Sequence, residues 1–328
     1  MSAPRPGSMA LRNQGAGTPA LSAAVDTPPL VSIVTPSLNQ AGFLASAIAS
    51  VQAQDYPRVE HIVVDGGSTD GTLAVLARHA PSLRWVSEPD AGQSAAINRG
   101  FRMAAGQILS WLNADDLLHP GAVRAVVEQF RSDPAAMMVY GQADFVDGSG
   151  LPIEPLRRVE PFNLARLVEV HDYIVQPAAF VRREALAAVG YVDETLHWSM
   201  DWDLWIRIGQ RFPVRYLPVL LATVRLHAQT KTYRAGFSKL REMHRIVRRH
   251  SRRRLPPLLL IQGGGTLYRM ARRLRGAPGP MRRPPALVRW ACRRMERVIE
   301  TGRFPWERPD PALRRPGRLR EVSLAERR

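Results

Sequence analysis

The residues with the clearest chemical potential are Asp115 and Asp116, two adjacent acids at the end of an apolar stretch in residues 110–118 (SWLNADDLL). Neighbouring carboxylates repel each other, which is costly unless a cation offsets the charge. Mg²⁺ and Mn²⁺ prefer oxygen ligands and usually keep phosphates as partners. The alternative is an N-cap for a helix that begins near Pro120, and taken alone the segment favours that interpretation.

A second polar cluster, residues 65–71 (DGGSTDG), follows another apolar run. Its glycines permit a tight turn and close approach of a ligand to the backbone. Asp70 suits capping of the next helix, whereas Asp65, the last residue of the predicted strand, is placed to accept hydrogen bonds from a base. The first strand leads into Pro36 and Asn39 without a Gly-x-Gly-x-x-Gly loop, so a nicotinamide-dinucleotide site is excluded.

The elements that position these clusters alternate along the first half of the chain. Apolar β-branched runs predict strands, and apolar residues at helical spacing predict helices. The predicted strands cover residues 30–35, 59–64, 83–86 and 107–112, and the predicted helices cover residues 42–52, 72–78 and 94–104. Pro36 is expected to end the first strand. This alternation predicts an α/β fold with a mostly parallel central sheet and helices on both faces.

Ligands of such sheets bind beyond the carboxyl ends of the strands. The polar clusters fall at those ends, in residues 35–40, 65–70, 88–93 and 113–116. Four clusters that converge on one rim indicate a binding site more strongly than any one of them does. In this context we favour cation binding over helix capping for the paired acids.

The pattern loosens after Val139. We expect strand-and-turn structure in residues 142–160 and an edge strand in 214–224 that Pro218 interrupts. The remaining expected elements are a strand at residues 177–181 and helices at 162–168, 183–189 and 201–210. From Lys231 onward the sequence is helical and basic, with proline clusters that divide it.

The charge is distributed very unevenly. Residues 1–240 hold 21 Lys and Arg against 22 Asp and Glu, and residues 241–328 hold 25 against 7, so the whole excess of +17 lies in the C-terminal quarter. A basic tail suits an anionic surface, either nucleic acid or lipid headgroups. Nucleic acid is not expected, because this tail is broken by proline and mostly aliphatic rather than interleaved with aromatics.

Other features of the composition narrow the class of protein. Cys292 is the single cysteine, so no internal disulfide forms. No apolar run reaches the length of a membrane span. We expect residues 1–28 to be a disordered leader, residues 29–235 to form the main domain and residues 236–328 to form a basic helical extension. Leucines among the arginines of residues 241–275 predict a helix lying in an anionic headgroup layer, and a tail that is merely solvated is the alternative.

Several motifs, taken together and in order, resemble family 2 of the glycosyltransferases, which has the GT-A fold. They are residues 31–39 (VSIVTPSLN), 63–71 (VVDGGSTDG), 88–93 (EPDAGQ) with 96–100 (AINRG), 112–116 (LNADD), 176–183 and 199–207 (SMDWDLWIR). The resemblance covers about residues 30–230. It implies a metal-dependent transferase that inverts the anomeric centre of a sugar taken from a nucleotide-sugar donor.

The resemblance also implies roles on the donor side. Thr35 and Asp65 would hold the base, Asp115 would lie at the ribose and metal, and Asp116 would ligate Mn²⁺ or Mg²⁺ bridging the diphosphate. His227 would join this metal site. The nucleotide-sugar site as a whole would comprise Thr35, Pro36, Asn39, Asp65, Asp90, Gln93, Asn98, Asn113 and Asp115. One departure is that Asn113 replaces the first acid of the family's Asp-x-Asp pattern, which leaves one charge fewer around the metal.

On the acceptor side, Asp201 would be the general base that deprotonates the attacking hydroxyl, a role worth roughly 10²–10⁴ in rate. Met200 takes the place of the glutamate that usually precedes this acid, and an N-cap role for Asp201 is the alternative. Gln176, Trp198 and Trp202 are the other acceptor-side candidates, although Trp202 also suits the core. Two further assignments are Asp203 as a structural acid, and Arg225 and Lys231 as cations that offset leaving-group charge.

The sequence thus predicts transfer from a nucleotide-diphosphate sugar, with UDP as the default nucleotide, to a glycan or lipid-linked acceptor of cell-surface polysaccharide or glycolipid synthesis. The expected location is cytoplasmic, peripheral to the inner face of the membrane. The alternatives are a nucleotidyltransferase on a related sheet, which would need a basic glycine-rich loop after the first strand, and a basic nucleic-acid-binding protein.

Overall fold

A computed structural model describes residues 27–153, 159–227, 229–231 and 237–251. The strands are β1 (Val31–Ser37), β2 (Val59–Asp65), β3 (Arg84–Ser87), β4 (Ile108–Trp111), β5 (Leu117–Leu118), β6 (Met138–Asp147), β7 (Ala179–Arg182) and β8 (Val214–Leu226). The helices are α1 (Leu44–Gln52), α2 (Thr72–His79), α3 (Gln93–Met103), α4 (Ala122–Ser132), α5 (Leu164–Glu169), α6 (Arg183–Val189), α7 (Met200–Gly209) and α8 (Phe237–His250).

The strands form one eight-stranded sheet in the order β3-β2-β1-β4-β7-β6-β8-β5. The pairs among β3, β2, β1 and β4 are parallel, as is the β6–β8 pair. The β4–β7, β7–β6 and β8–β5 pairs are antiparallel. The first half of the chain therefore forms the parallel sheet that its alternating pattern predicts, and the second half adds a mixed portion.

Side chains alternate between the two faces of the sheet, because successive residues of a strand point in opposite directions. On β1, Val34 packs into a cluster with residues of α3, α5, α6, α7 and α8. Its neighbour Ile33 packs on the opposite face with residues of α1 and α4, and Val63 of β2 packs there with α1 and α2. The predicted helical layers on both faces are confirmed.

Register brings the polar strand ends to one edge of the sheet. Ser37 is paired with Asp65, and Asp65 is paired with Ser87 on the next strand. β4 pairs with β1 only as far as Val34 and Trp111, and the 113–116 segment follows directly. The predicted convergence of the strand ends is therefore present in the structure.

Two expectations about proline were wrong. Pro36 lies inside β1, beyond the level at which β4 stops, so its missing N–H costs no bond to that neighbour. Pro218 does not interrupt β8 either. The β6–β8 register shifts between Tyr140 and Gln142, which pair with Tyr216 and Leu220, so the intervening β8 residues form a bulge that accommodates the proline. β5 also covers part of β8, which is an edge strand over only part of its length.

The first helix of the basic extension packs against the main domain. Met243, Ile246 and Val247 of α8 are buried in the same apolar cluster as α7. α8 thus belongs to the folded domain, although the sequence pattern placed it in the extension. Residues 252–328 and the predicted leader, apart from Thr27 and Pro28, lie outside the described residues.

Gly100 lets α3 approach β1 closely, and its replacement by alanine tests this packing. A Cβ built at Gly100 would lie 2.2 Å from Cγ1 of Val34. Alanine improves helix propensity by about 1 kcal/mol, but overpacking costs about 1–3 kcal/mol, so we expect Gly100→Ala to lower the free energy of unfolding. Urea denaturation measures the change.

Gly42→Ala is the matched control, since a Cβ there meets nothing within 4 Å. The Val34→Ala substitution should restore stability to the Gly100→Ala protein by removing the overlapping methyl groups. Equal stability of the Gly100→Ala and Gly42→Ala proteins would show that the α3–β1 contact is not limiting.

Candidate active site

A cleft of about 740 Å³ opens at the carboxyl ends of the strands. It is lined by the ends of β1 and β8, the start of α3, the segment after β4 and the residues that lead into α7. The predicted site residues that line it are Pro36, Asp90, Gln93, Asn113, Asp115, Asp116, Gln176, Trp198 and Asp201. The cleft therefore unites the two groups of residues that the sequence assigned to donor and acceptor.

Asp115 lines the cleft and contacts His227, the residue after β8, which is not among the residues that line the cleft. Oδ2 of Asp115 lies 3.1 Å from Nε2 of His227, and both side chains are largely buried. His227 stacks against the ring of Phe43, with centroids 4.4 Å apart, and the guanidinium of Arg225 lies 5.0 Å from the same ring. A carboxylate, an imidazole and a guanidinium thus meet beside the segment that follows β4.

Asp116 is buried and close to Asp115. Burial and, to a lesser degree, the charge of Asp115 raise the pKa of the Asp116 carboxyl well above its usual range. Asp116 accepts hydrogen bonds from the Asn113 amide (2.9 Å) and the Arg225 backbone N–H (3.1 Å). A bound cation would favour the ionised carboxylate in place of the proton.

A chain of amides crosses the floor of the cleft. Gln93 donates to Asn113 at 2.8 Å, and Asn113 donates to Gln176 at 3.1 Å. The ammonium of Lys231 donates to Gln93 at 2.8 Å and lies 5.7 Å from the centroid of the Trp198 ring. Burial lowers the pKa of Lys231 to about 8, although the nearby acid Asp201 opposes the shift. These contacts connect Gln93 and Asn113, which the sequence assigned to the donor, with Gln176 and Trp198, which it assigned to the acceptor.

Asp201 lies in the first turn of α7 and lines the cleft. Its Oδ1 accepts a hydrogen bond from the backbone N–H of Trp202 at 2.9 Å. Asp203 is buried instead, and it binds Arg207 (2.6 Å) and His250 of α8 (3.1 Å). The predicted structural role of Asp203 is therefore confirmed, and Asp201 is the acid of this helix that faces the cavity.

Two predicted nucleotide-binding side chains brace the loops that border the cleft. Asp65 is fully buried, and its Oδ2 accepts hydrogen bonds from the Ser68 N–H (2.9 Å) and the Ser87 hydroxyl (2.7 Å). Asn39 adopts a positive φ of 54° and accepts a hydrogen bond from the Thr69 N–H at 2.9 Å. These bonds fix the 65–71 turn and join it to the loop after β1.

Three other predicted residues lie away from the cleft. The Thr35 hydroxyl is buried and lies 2.9 Å from Nε2 of His61. Burial lowers the pKa of His61 to about 3, and the charge of His79 makes a smaller contribution in the same direction. Asn98 donates to the Val192 carbonyl at 2.9 Å, which ties α3 to the chain before α7. Trp202 is a core residue whose indole donates to the Leu167 carbonyl at 2.8 Å.

The residues after β4 have the donor chemistry of a hard-cation site but do not form a closed one. Within the described ranges, no three His, Cys, Asp or Glu side chains are grouped so as to hold a metal ion. Asp115 and Asp116 offer adjacent carboxylates beside His227. Mg²⁺ is commonly held by one or two carboxylates plus substrate phosphates, so this set fits a cation that arrives with a diphosphate.

Glu242 is a buried acid that was not among the site residues predicted from the sequence. It is the only acidic residue of α8 and is buried, and its carboxylate accepts hydrogen bonds from the backbone amides of His197 (2.6 Å) and Trp198 (2.7 Å). The sequence feature that could have indicated this residue is a single acid within a helix rich in arginine. Summing the charge over the C-terminal quarter did not reveal this single acid.

Comparisons with known proteins agree with this geometry. Residues 32–190 match the family described as Glycosyl transferase family 2. A Mycobacterium tuberculosis protein described as an uncharacterized glycosyltransferase is 32% identical over 190 residues, which cover 57% of this chain and 68% of that protein. A Rickettsia felis protein with the same description is 27% identical, and the match covers 61% of this chain and 35% of that protein. The chain thus spans about a third of the Rickettsia relative.

Among solved structures, a mannosyltransferase from Pyrobaculum calidifontis in complex with GDP-Man and Mn²⁺ is similar to this chain, with a TM-score of 0.56 at 20% identity over 84% of each chain. That likeness shows the fold, which is of the GT-A type. The chain belongs to glycosyltransferase family 2. The resemblance inferred from the motifs is confirmed, and the family favours glycosyl transfer over the nucleotidyltransferase alternative.

Asn113→Asp tests whether the segment after β4 is built to receive a cation. The new carboxylate cannot donate to Asp116 and Gln176, so the metal-free protein loses two hydrogen bonds and gains repulsion. We expect the Tm in EDTA to fall by about 2–8 °C. Mn²⁺ should raise the Tm of this variant more than that of the parent.

Asn39→Asp is the control, because it adds the same charge outside the cleft and keeps the side-chain acceptor that Thr69 uses. Thermal melts of the three proteins with EDTA or Mn²⁺ give the comparison. If both variants responded to Mn²⁺ equally, the effect would reflect net charge alone.

Proposed function

We propose that this cleft transfers a sugar, with inversion, from a nucleotide-diphosphate donor to an acceptor hydroxyl. The observation that carries the proposal is the arrangement of acids around one cavity. Asp115 and Asp116 lie together at the end of β4, and Asp201 lies separately at the start of α7. The pair suits a cation and a diphosphate, and the single acid suits proton transfer.

On the donor side, Asp115 and Asp116 would hold a divalent cation, Mn²⁺ or Mg²⁺, and His227 would lie beside them through its 3.1 Å contact with Asp115. When bound, the cation supplies Lewis-acid stabilisation of the departing diphosphate. Arg225 and Lys231 face the same cavity and add positive charge for that leaving group. The hydrogen-bonded Gln93–Asn113–Gln176 amides would form the surface against which the donor binds.

Some of the residues assigned to the donor have side chains that do not line the cleft, and we propose that they hold the neighbouring backbone in place. Asp65 and Asn39 fix the turns that border the base, and Thr35 and Asn98 hold the strand and helix beneath them. Direct contacts with the nucleotide then come from the cleft-lining residues Pro36 and Asp90 and from loop backbone.

On the acceptor side, Asp201 would take the proton of the attacking hydroxyl as oxygen bonds to the anomeric carbon and the bond to the diphosphate breaks on the opposite face. The ammonium of Lys231 lies near enough to interact electrostatically with Asp201. Trp198 borders the cleft beside them and offers a ring for an acceptor sugar, whereas the buried Trp202 supports the helix.

UDP is the first nucleotide to test, and GDP is the second because a structural neighbour binds GDP-Man. We propose a glycan or lipid-linked acceptor of cell-surface synthesis. Titration of UDP and GDP in the presence of Mn²⁺, followed by a screen of their sugar donors for hydrolysis and transfer, identifies the donor.

Asp201→Asn should lower turnover by about 10²–10⁴ while leaving the nucleotide Kd within about twofold, because the base acts on the acceptor and not on the donor. Kinetics with the donor identified in the screen give turnover, and calorimetry gives the Kd. Glu128→Gln, an equal change of charge on the exposed face of α4, is the control. Loss of nucleotide binding in the Asp201 variant would reassign Asp201 to the donor site or to folding.

We also propose that the chain acts at the inner face of an anionic membrane. None of the helices in the described part of the chain is long and apolar enough to cross a bilayer. The apolar face of α8 is buried in the domain, so lipid contact falls to the following residues, where Leu255, Leu258 and Ile261 stand among arginines. Each arginine near such a surface contributes about 1 kcal/mol, screened by salt.

Removal of residues 252–328 tests this surface without disturbing α8. We expect the full chain to float with vesicles that contain phosphatidylglycerol and to be released by salt, and the chain that ends at Ser251 to stay at the bottom of the gradient. Vesicles of phosphatidylcholine alone are the control. Equal flotation of both proteins, or of neither, contradicts the membrane proposal.

A further inference from the structure

A carboxylate from the C-terminal quarter of the chain holds the segment that leads into α7. Glu242 of α8 is buried, with 8% of its surface exposed. One of its oxygens accepts the backbone N–H of His197 at 2.6 Å, and the other accepts those of Trp198 at 2.7 Å and Ser199 at 3.2 Å. Three consecutive amides therefore converge on one charged side chain that lies more than forty residues away in sequence.

These amides belong to the wall of the cleft. His197, Trp198, Met200 and Asp201 all line the cavity, so the bonded segment contains or adjoins the acceptor-side residues. Ser199 is the N-cap of α7 but its side chain makes no capping hydrogen bond. A carboxylate suits this position, because unpaired amides and the helix dipole both favour negative charge at a helix N-terminus.

α8 is itself held firmly against α7. Met243, Ile246 and Val247 are buried in the shared core, and His250 at the far end of α8 binds Asp203 at 3.1 Å. Glu242 is therefore presented by a helix that is fixed at two points. Hydrogen bonds from amides to a charged carboxylate are stronger than those to a neutral acceptor. The bonds to Glu242 should therefore restrain the backbone of residues 197–199.

We infer that Glu242 is a positioning residue, which sets Trp198 and Asp201 for the acceptor by fixing the backbone of residues 197–199. The inference rests on the proposed function for its catalytic consequence. The Trp198 ring in turn contacts the ammonium of Lys231, and this ammonium donates a hydrogen bond to Gln93, a residue assigned to the donor. The active site is thus complete only when α8 is docked, even though α8 lies beyond the stretch that the family motifs cover.

The test compares two substitutions in α8 within the full chain. Glu242→Gln keeps the shape but replaces one accepting oxygen with a donor that opposes an amide. Val247→Ala removes buried methyl groups from the same helix and leaves the carboxylate in place. The two variants separate loss of the carboxylate from general weakening of α8.

Hydrogen–deuterium exchange is the first readout and needs no substrate. We expect Glu242→Gln to speed exchange of residues 197–199 at least tenfold, and Val247→Ala to leave those amides near their parent rate. Similar exchange in the two variants overturns the inference. If Glu242→Gln does not fold, Glu242→Asp, which retracts the carboxylate by one methylene, is measured instead and should show the same direction.

Kinetics with the screened donor and acceptor are the second readout. We expect Glu242→Gln to lower kcat/KM for the acceptor about 10- to 100-fold, with the Kd for UDP and Mn²⁺ within about twofold and Val247→Ala near the parent in both. Faster exchange with unchanged transfer overturns the positioning role. Absence of transfer by the parent with every donor defeats the proposed function instead, and exchange then still decides whether Glu242 restrains the segment.

Discussion

Repulsion between Asp115 and Asp116 is the constraint on which the rest of the site depends. The chain places both acids at the carboxyl end of β4, where burial raises the pKa of the Asp116 carboxyl. The pair contacts His227, Asn113 and the Arg225 backbone N–H. Asn113 and Arg225 line the cleft, so the loops at this end of it are assembled around the same excess of negative charge.

Asn113 gives this balance a particular character. An acid at that position would add a third negative group beside Asp116, whereas the amide donates to Asp116 and to Gln176. Under the proposed function, the amide stabilises the paired acids before a cation binds, so a cation would gain less from binding the protein alone. Affinity for the metal should consequently depend more on the diphosphate, which couples metal binding to donor binding.

The sequence predicted the parallel half of the sheet well, because each strand there is a continuous apolar run that ends in a polar cluster. It predicted the cleft-lining acids for the same reason. It did not show that Asp65 and Thr35 turn their side chains away from the cavity, since residue type cannot distinguish a ligand contact from a buried bond to Ser68 or His61. The predictions that Pro36 and Pro218 end or interrupt strands were also wrong, because whether a strand can contain proline depends on its pairing with neighbouring strands.

Glu242 shows why the C-terminal boundary was harder to place. The positive charge of residues 241–328 suggests a solvated or membrane-bound appendage, yet the first helix of that region supplies a buried carboxylate and three core side chains. Charge summed over a segment averages out the single residue that faces inward. The outer face of α8 retains Arg241, Arg245 and Arg248, so one helix contacts the acceptor wall on one side and presents positive charge on the other. Under the proposed function, a lipid-linked acceptor held at an anionic surface would approach the cleft beside this helix.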